Sequence, residues 1–80
     1  MTLEEIIERY PDEEFLTADG FEDAIIGVEP NSMKIVYNRN KMIEILCEED
    51  EMEEIEAIEY LEFNTWNAYI GEKTPLFIEI

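Results

Sequence analysis

The strongest constraint on the fold is a pair of short apolar segments separated by a turn sequence. Residues 24–28 read AIIGV, a continuous apolar run of strand length, and residues 33–37 read MKIVY, which is rich in β-branched and aromatic side chains. Between them lies Pro-Asn-Ser at positions 30–32, which is typical of turns. The pattern predicts a β-hairpin in which residues 24–29 pair with residues 33–37.

A short helix is predicted before the hairpin. Thr2 and Glu5 fit the S/T-x-x-E capping box, in which the hydroxyl and the carboxylate each bond the backbone N–H of the other residue. Leu3, Ile6 and Ile7 supply an apolar face, and Pro11 ends the helix. The Asp-Gly pair at positions 19–20 then indicates a turn.

Two further helices are predicted after the hairpin. Asn38 or Asn40 is suited to cap the first, which should extend to about Glu49. Its inward side chains recur at helical spacing: Met42, Ile43, Ile45 and Leu46. The second should begin near Glu51, with Gly71 as a C-terminal stop. Its inward side chains are expected to be Met52, Ile55, Ile58 and Leu61.

The second half of that last helix is ambiguous. Glu59 and Glu62 fall among apolar positions on the helical wheel, and Asn64 and Thr65 are weak helix formers. The helix therefore either bends or ends early in this region. A carboxylate held against aromatic side chains would have a raised pKa, whereas a bend would place both glutamates at the rim of the core.

A final strand is predicted at residues 76–80, because Pro75 permits entry into an edge strand. We expect it to join the hairpin. The whole chain, residues 1–80, is then one acidic α+β domain of two layers, with about three antiparallel strands packed against two helices and a short N-terminal helix.

Net charge excludes several classes of partner. The chain has 22 acidic and 5 basic side chains, a formal charge of −17, against about 2 to 8 units for a typical small soluble domain. Binding to DNA or RNA requires clustered Lys and Arg, and anionic membrane surfaces would repel this chain. We therefore expect neither direct nucleic-acid binding nor membrane binding.

The inventory of reactive residues argues against an enzyme. Histidine is absent, which removes the Ser-His-Asp triad and the most common metal ligand. The three glycines match no nucleotide-binding motif. A cation site at Asp19, Glu22 and Asp23 is weighed against simple turn and cap roles, which are the preferred interpretation. No catalytic residue, metal site or cofactor is predicted.

Cysteine content and the first residues indicate the compartment. Cys47 is the only cysteine and is expected to serve as a small apolar core residue, so no disulfide within the chain is predicted. The opening residues MTLEEIIERY have neither the basic nor the apolar region of a secretory signal. We therefore expect a cytoplasmic protein.

The strongest functional feature is an acidic stretch. Residues 42–72 contain eleven acidic side chains and no basic one. On a helical segment, neighbouring carboxylates lie roughly 5 to 10 Å apart, which overlaps the spacing of phosphates in nucleic acid. Such a surface either occupies the basic groove of a nucleic-acid-binding protein or is simply solvated. The residues predicted to contact a partner are Glu48, Glu49, Glu51, Glu53, Glu54, Glu56 and Trp66.

Four aromatic residues lie at three-residue steps near one helical face: Tyr60, Phe63, Trp66 and Tyr69. Core packing is the expected role of this set. A small core has room for few large side chains, however, so Trp66 is expected at its edge, where it would serve as an interface anchor.

Three segments carry a resemblance to known proteins: FLTADGFEDAIIGVE at 15–29, SMKIVYNRNKMIEIL at 32–46 and AYIGEKTPLF at 68–77, about half of the chain. Together they resemble a group of small uncharacterised proteins of tailed bacteriophages. The resemblance implies no reaction or cofactor. It implies expression in an infected bacterium, where small accessory phage proteins bind and inhibit host factors.

These observations predict a non-enzymatic phage accessory protein that binds and modulates a basic, nucleic-acid-binding host protein. It would bind through the acidic face of residues 48–62, which would imitate nucleic acid. A structural or assembly module that self-associates through the edge strand or through an exposed aromatic residue is the alternative. Polar residues within the matching segments are candidates for a second interaction site: Asp19, Asp23, Glu72, Lys73 and Thr74.

Overall fold

The predicted hairpin and helices are all present in the computed structural model, which describes residues 1–80. The helices are α1 (Leu3–Arg9), α2 (Arg39–Glu49) and α3 (Glu54–Leu61), and the strands are β1 (Ile25–Glu29), β2 (Lys34–Asn38) and β3 (Leu76–Ile78). A 3₁₀ turn at Glu22–Ala24 precedes β1, and a π-helical turn at Glu62–Trp66 follows α3. The predicted small α+β domain is confirmed.

The hairpin pairs β1 with β2 in antiparallel orientation, with Ile25 opposite Tyr37 and Glu29 opposite Lys34. An irregularity between Ile25 and Gly27 shifts the register, as a β-bulge does. Glu29 organises the turn, because its carboxylate accepts hydrogen bonds from the hydroxyl and N–H of Ser32, both at 2.8 Å. These bonds, with one from the N–H of Asn31, lower the pKa of Glu29 below its usual value.

The third strand is present but runs parallel to its neighbour, so the expectation of a fully antiparallel sheet was wrong. The sheet order is β1-β2-β3, and Val36, Tyr37 and Asn38 pair with Leu76, Phe77 and Ile78. A parallel pair requires a long crossover. Here α2 and α3 lie in that crossover, and they return the chain to the end of the sheet at which β2 begins.

The starts of α1 and α2 confirm the predicted caps. Thr2 Oγ1 accepts from the N–H of Glu5 at 3.2 Å, and Glu5 Oε1 accepts from the N–H of Thr2 at 2.9 Å. Asn38 Oδ1 accepts from the N–H groups of Asn40 and Lys41, which identifies Asn38 as the cap of α2. Each bond satisfies a backbone donor that the helix itself leaves without a partner.

Helix α3 begins later than predicted, at Glu54. Glu51 has a positive φ of 55°, and the N–H of Met52 bonds the carbonyl of Leu46, so the chain turns sharply between the two helices. This turn sets which face of α3 is buried. Ala57 and Leu61 are fully buried, whereas Ile55, predicted to point inward, is 68% exposed.

After Leu61 the helix widens into the π-helical turn, which ends at Trp66, so the predicted stop at Gly71 was wrong and the helix ends early. Asn64 Nδ2 donates to the carbonyl of Tyr60 at 3.0 Å, and Asn67 Nδ2 donates to the carbonyl of Glu62 at 2.9 Å. These side-chain amides replace part of the regular helical hydrogen bonding. Glu59, near the end of α3, and Glu62, in the widened turn, are both exposed.

The core forms one cluster of eleven apolar residues contributed by the helices, β1, β2 and residues 21–24. The largest fully buried side chains are Tyr37, Ile6, Ile35, Met42 and Leu61. Cys47, predicted in the core, is partly buried and packs against it. None of the helices has the length and apolar character needed to cross a membrane.

Candidate functional site

The acidic segment, defined here as residues 48–56, connects the end of α2 to the first half of α3. All seven of its acidic side chains are exposed, and they include the six glutamates predicted to contact a partner. The full set is Glu48, Glu49, Asp50, Glu51, Glu53, Glu54 and Glu56. The structure therefore places them at the turn that connects α2 to α3.

No basic side chain of the protein forms an ion pair with the acidic segment. The two ion pairs of the protein join Lys41 to Glu44 at 3.5 Å and Lys73 to Glu13 at 2.6 Å, and neither involves residues 48–56. The carboxylates therefore face water without a basic partner from their own chain. Their negative potential is available to a positively charged molecule.

The acidic segment has two electrostatically different halves. Glu54 and Glu56 lie in the first turn of α3, where negative charge favours the helix, and Glu56 Oε1 accepts from the N–H of Glu53 at 3.4 Å. Glu48 and Glu49 lie in the last turn of α2, where the helix dipole disfavours negative charge and no basic residue compensates. The charges of Glu48 and Glu49 therefore oppose folding, whereas those of Glu54 and Glu56 favour it.

Trp66 is engaged inside the fold. Its indole N–H donates to the sulfur of Met42 at 3.4 Å, and the guanidinium carbon of Arg39 lies 4.5 Å from the ring centroid. The side chain is partly buried, at the edge of the core where it was expected. These contacts fix the π-helical turn to α2.

The other aromatic residues of the three-residue series lie further outside than predicted. Phe63 is 88% exposed, Tyr69 is 70% exposed and Tyr60 is 44% exposed, so the expectation of core packing was wrong for them. For Phe63 and Tyr69, which follow Leu61, the widened turn changes the angular position, so the regular three-residue step no longer corresponds to one buried face. Tyr60 precedes the turn and lies in α3.

The five residues of the predicted second site separate into three places. Asp19 and Thr74 line the same cleft. Lys73 and Glu72 border a different groove beside residues 12–16, where Lys73 Nζ donates to Glu13 Oε2 at 2.6 Å and to the carbonyl of Glu14 at 2.8 Å. Asp23 lies exposed on the 3₁₀ turn.

The cleft that contains Asp19 has a volume of about 260 Å³. We call it the Asp19 cleft. Residues of the segment 17–21 line it, together with Asn64 and Thr65 of the π-helical turn. Apolar surface comes from Phe21, Tyr60, Ala68, Ile70, Pro75 and Phe77. Gly20, with a φ of +90°, supplies the left-handed conformation that the Asp-Gly turn requires.

Tyr37 supports this cleft from within the core. Its hydroxyl accepts a hydrogen bond from the N–H of Ala18 at 2.8 Å, and its ring stacks on Phe77 with centroids 5.5 Å apart. Burial raises the pKa of the Tyr37 hydroxyl above its usual value. The bond from Ala18 opposes the rise in pKa, and the negative charges of Glu22 and Asp19 add to it.

Sequence reasoning missed most residues of the Asp19 cleft. The Asp-Gly turn and the weak helix formers Asn64 and Thr65 were visible signals, but they lie more than forty positions apart. Only the packing of residues 17–21 against the π-helical turn brings them together.

No group of three or more His, Cys, Asp or Glu side chains is arranged to hold a metal ion, and Asp19, Glu22 and Asp23 do not form such a group. Comparison with family models, curated proteins and solved structures finds no match to this chain.

Proposed function

We propose that this chain is a non-enzymatic binding protein whose acidic segment occupies the basic groove of a nucleic-acid-binding protein. The observation that carries this proposal is the placement of unpaired carboxylates at the C-terminal end of α2. The partner would be a host protein, and the site of action the cytoplasm of an infected bacterium.

The energetics of Glu48 and Glu49 support a binding role. A negative charge at a helix C-terminus costs about 0.3 to 1 kcal/mol, and repulsion among neighbouring carboxylates adds to this cost. Folding gains nothing from these charges, because neither side chain forms an ion pair. A basic partner would convert the same charges into favourable interactions.

The shape of the acidic segment supports imitation of a nucleic-acid backbone. Within its two helical ends, residues 48–49 of α2 and residues 54–56 of α3, neighbouring carboxylates lie roughly 5 to 10 Å apart, a range that includes the spacing of phosphates along a strand. A surface of one charge sign also accelerates encounter with an oppositely charged groove. Binding of this kind weakens as salt increases.

The test is capture from a bacterial lysate at low and at moderate salt with three forms of the protein. The first is the wild type. The second carries Glu48→Lys, Glu49→Lys and Glu51→Lys, which leaves the capping residues Glu53 and Glu56 intact. The third is a matched control with the same change in charge at exposed acids elsewhere: Glu8→Lys, Asp12→Lys and Glu79→Lys.

We expect the wild type and the control to retain the same basic nucleic-acid-binding protein, and added DNA or RNA to displace it. The variant at positions 48, 49 and 51 should lose it. Equal retention by all three forms would show that the acidic segment does not bind the partner. Equal loss of the partner from the control and the variant would show that binding depends only on the net charge of the protein.

Self-association is a second candidate, favoured by the exposed edge of β3. Ile78 and Ile80 are exposed, and β3 lies at the border of the sheet. An unpaired strand edge is a template for pairing with a second chain. Sedimentation at micromolar concentration distinguishes a monomer from a dimer, because a mass near 9.5 kDa would exclude a stable dimer.

A further inference from the structure

We propose that the Asp19 cleft binds one arginine side chain of a partner protein. The cleft is separate in the sequence from the acidic segment, since its walls come from residues 17–21, 60–68 and 70–77. The proposal rests on the proposed function only for the source of the arginine, a basic protein.

Charge identifies the occupant as a cation. Asp19 is the only charged residue that lines the cleft, and no Lys or Arg borders it. The Asp19 side chain is exposed and belongs to neither ion pair of the protein. Two further carboxylates of the same segment, Glu22 and Asp23, are exposed nearby in the sequence. An anionic ligand would meet only repulsion here.

The lining distinguishes guanidinium from ammonium. Three aromatic residues, Phe21, Tyr60 and Phe77, contribute to the walls, and Tyr60, which is 44% exposed, is the one of them whose ring is open to a ligand. A flat guanidinium group stacks on an aromatic face more readily than a strongly hydrated ammonium does. Asn64 uses its Nδ2 group to bond the carbonyl of Tyr60, which leaves Oδ1 as an acceptor. With Asp19, this gives oxygen acceptors for the several N–H donors of arginine.

The volume of the Asp19 cleft and the residues around its rim favour an amino-acid side chain over a larger ligand. The volume of about 260 Å³ is below the range of roughly 300 to 1,000 Å³ that is typical of pockets for drug-sized molecules. Tyr60 and Ile70 line the cleft and are both about half exposed. Apolar and aromatic residues around a pocket that receives an arginine are typical of the centre of a protein–protein interface.

The π-helical turn is the structural device that forms this cleft. It contributes Asn64 and Thr65 to the cleft that Asp19 also lines, whereas Trp66 is held against α2 by Met42 and Arg39. Such widened turns cost hydrogen-bond regularity and are found frequently at functional sites. The cleft is therefore held open by contacts of the fold itself.

The experiment titrates the uniformly ¹⁵N-labelled protein with the blocked tripeptide acetyl-Ala-Arg-Ala-amide at physiological salt. The matched ligand replaces arginine by citrulline, which has nearly the same shape and no charge. The matched variants are Asp19→Asn and Asp23→Asn, which remove the same charge from the same segment, but only the first from the cleft. The amide spectrum of each variant also reports that it is folded.

We expect saturable shifts of amide signals from residues 17–21, 64–68 and 70–77 with the arginine peptide. Affinity should fall about tenfold in Asp19→Asn, the loss expected when a charge-assisted hydrogen bond is removed, and change less than about twofold in Asp23→Asn. The citrulline peptide should produce no saturable shifts.

Four results would overturn the proposal. Three come from the peptide titrations: equal binding of the citrulline peptide, unchanged affinity in Asp19→Asn, and shifts confined to residues 48–56. The fourth comes from a parallel titration with free arginine, because tighter binding of free arginine than of the peptide would identify a metabolite site and reject a docking role. Because the titration uses no partner, the cleft and the acidic segment fail or succeed independently.

Discussion

The guanidinium carbon of Arg39 lies 4.5 Å from the centroid of the Trp66 ring, and this contact joins the start of α2 to the end of the π-helical turn. Arg39 Nε also donates to the carbonyl of Phe77 at 3.0 Å. One side chain therefore holds both the widened turn and the parallel strand β3. Arg39, at the start of the crossover between β2 and β3, thus contacts residues near its end.

The first prediction concerns Trp66. Trp66→Ala removes the ring beneath Arg39 and the N–H that bonds Met42, and should lower the free energy of unfolding by about 3 kcal/mol, as expected for truncation of a large packed aromatic residue. Urea unfolding measures this. Phe63→Ala, a control on the same turn, should change stability by less than about 0.5 kcal/mol because Phe63 is 88% exposed. Equal effects of the two substitutions would show that Trp66 does not hold the turn.

The second prediction concerns the acids at the end of α2. Glu48→Lys combined with Glu49→Lys should raise the free energy of unfolding by about 1 kcal/mol, because positive charge at a helix C-terminus is favourable and local repulsion decreases. Glu54→Lys, in the first turn of α3, should lower it by a few tenths of a kcal/mol for the opposite reason. Thermal unfolding of the three proteins provides the comparison. A double variant that is less stable than the wild type would mean that these glutamates stabilise the fold.

Local signals allowed much of the fold to be predicted. Thr2 and Asn38 were recognisable as helix caps because each bonds backbone groups within three residues of itself. The hairpin was recognisable for the same reason, since its strands and turn are adjacent in the chain. Features determined by neighbouring residues are thus accessible from sequence alone.

Features determined by distant packing were not accessible. The parallel direction of β3 depends on where the crossover delivers the chain, which no residue of β3 encodes. The burial of Ala57 in place of Ile55 follows from the left-handed conformation of Glu51, which glutamate rarely adopts. The Asp19 cleft likewise needs residues 17–21 and the π-helical turn to meet.

The third prediction concerns alkaline pH. Burial raises the pKa of Tyr37 in the folded state above its value in the unfolded chain, so the folded state retains the phenolic proton longer. This contribution to stability is therefore complete below about pH 10 and is lost as pH rises from there through the folded-state pKa. Unfolding free energies measured from neutral pH to about pH 11 should decline.

Tyr37→Phe isolates that effect. The variant loses the bond from the N–H of Ala18 and should be about 1 kcal/mol less stable at neutral pH. Its alkaline decline should be shallower than that of the wild type, because residue 37 no longer ionises on unfolding. Identical pH profiles for the two proteins would exclude Tyr37 as the source of the decline.

The fourth prediction concerns salt. With a net charge of −17 and two ion pairs, the folded chain brings unneutralised carboxylates closer together than the unfolded chain does. Raising ionic strength from about 0.01 M to about 0.15 M shortens the screening length from about 30 Å to about 8 Å. The melting temperature should therefore rise by several degrees. The increase should be smaller in the Glu48→Lys, Glu49→Lys variant, in which two negative charges of the acidic segment are replaced by two positive ones. A melting temperature that is independent of salt would mean that a bound cation already neutralises these carboxylates. The acidic segment would then present a much weaker negative electrostatic potential to a basic partner than its residues imply.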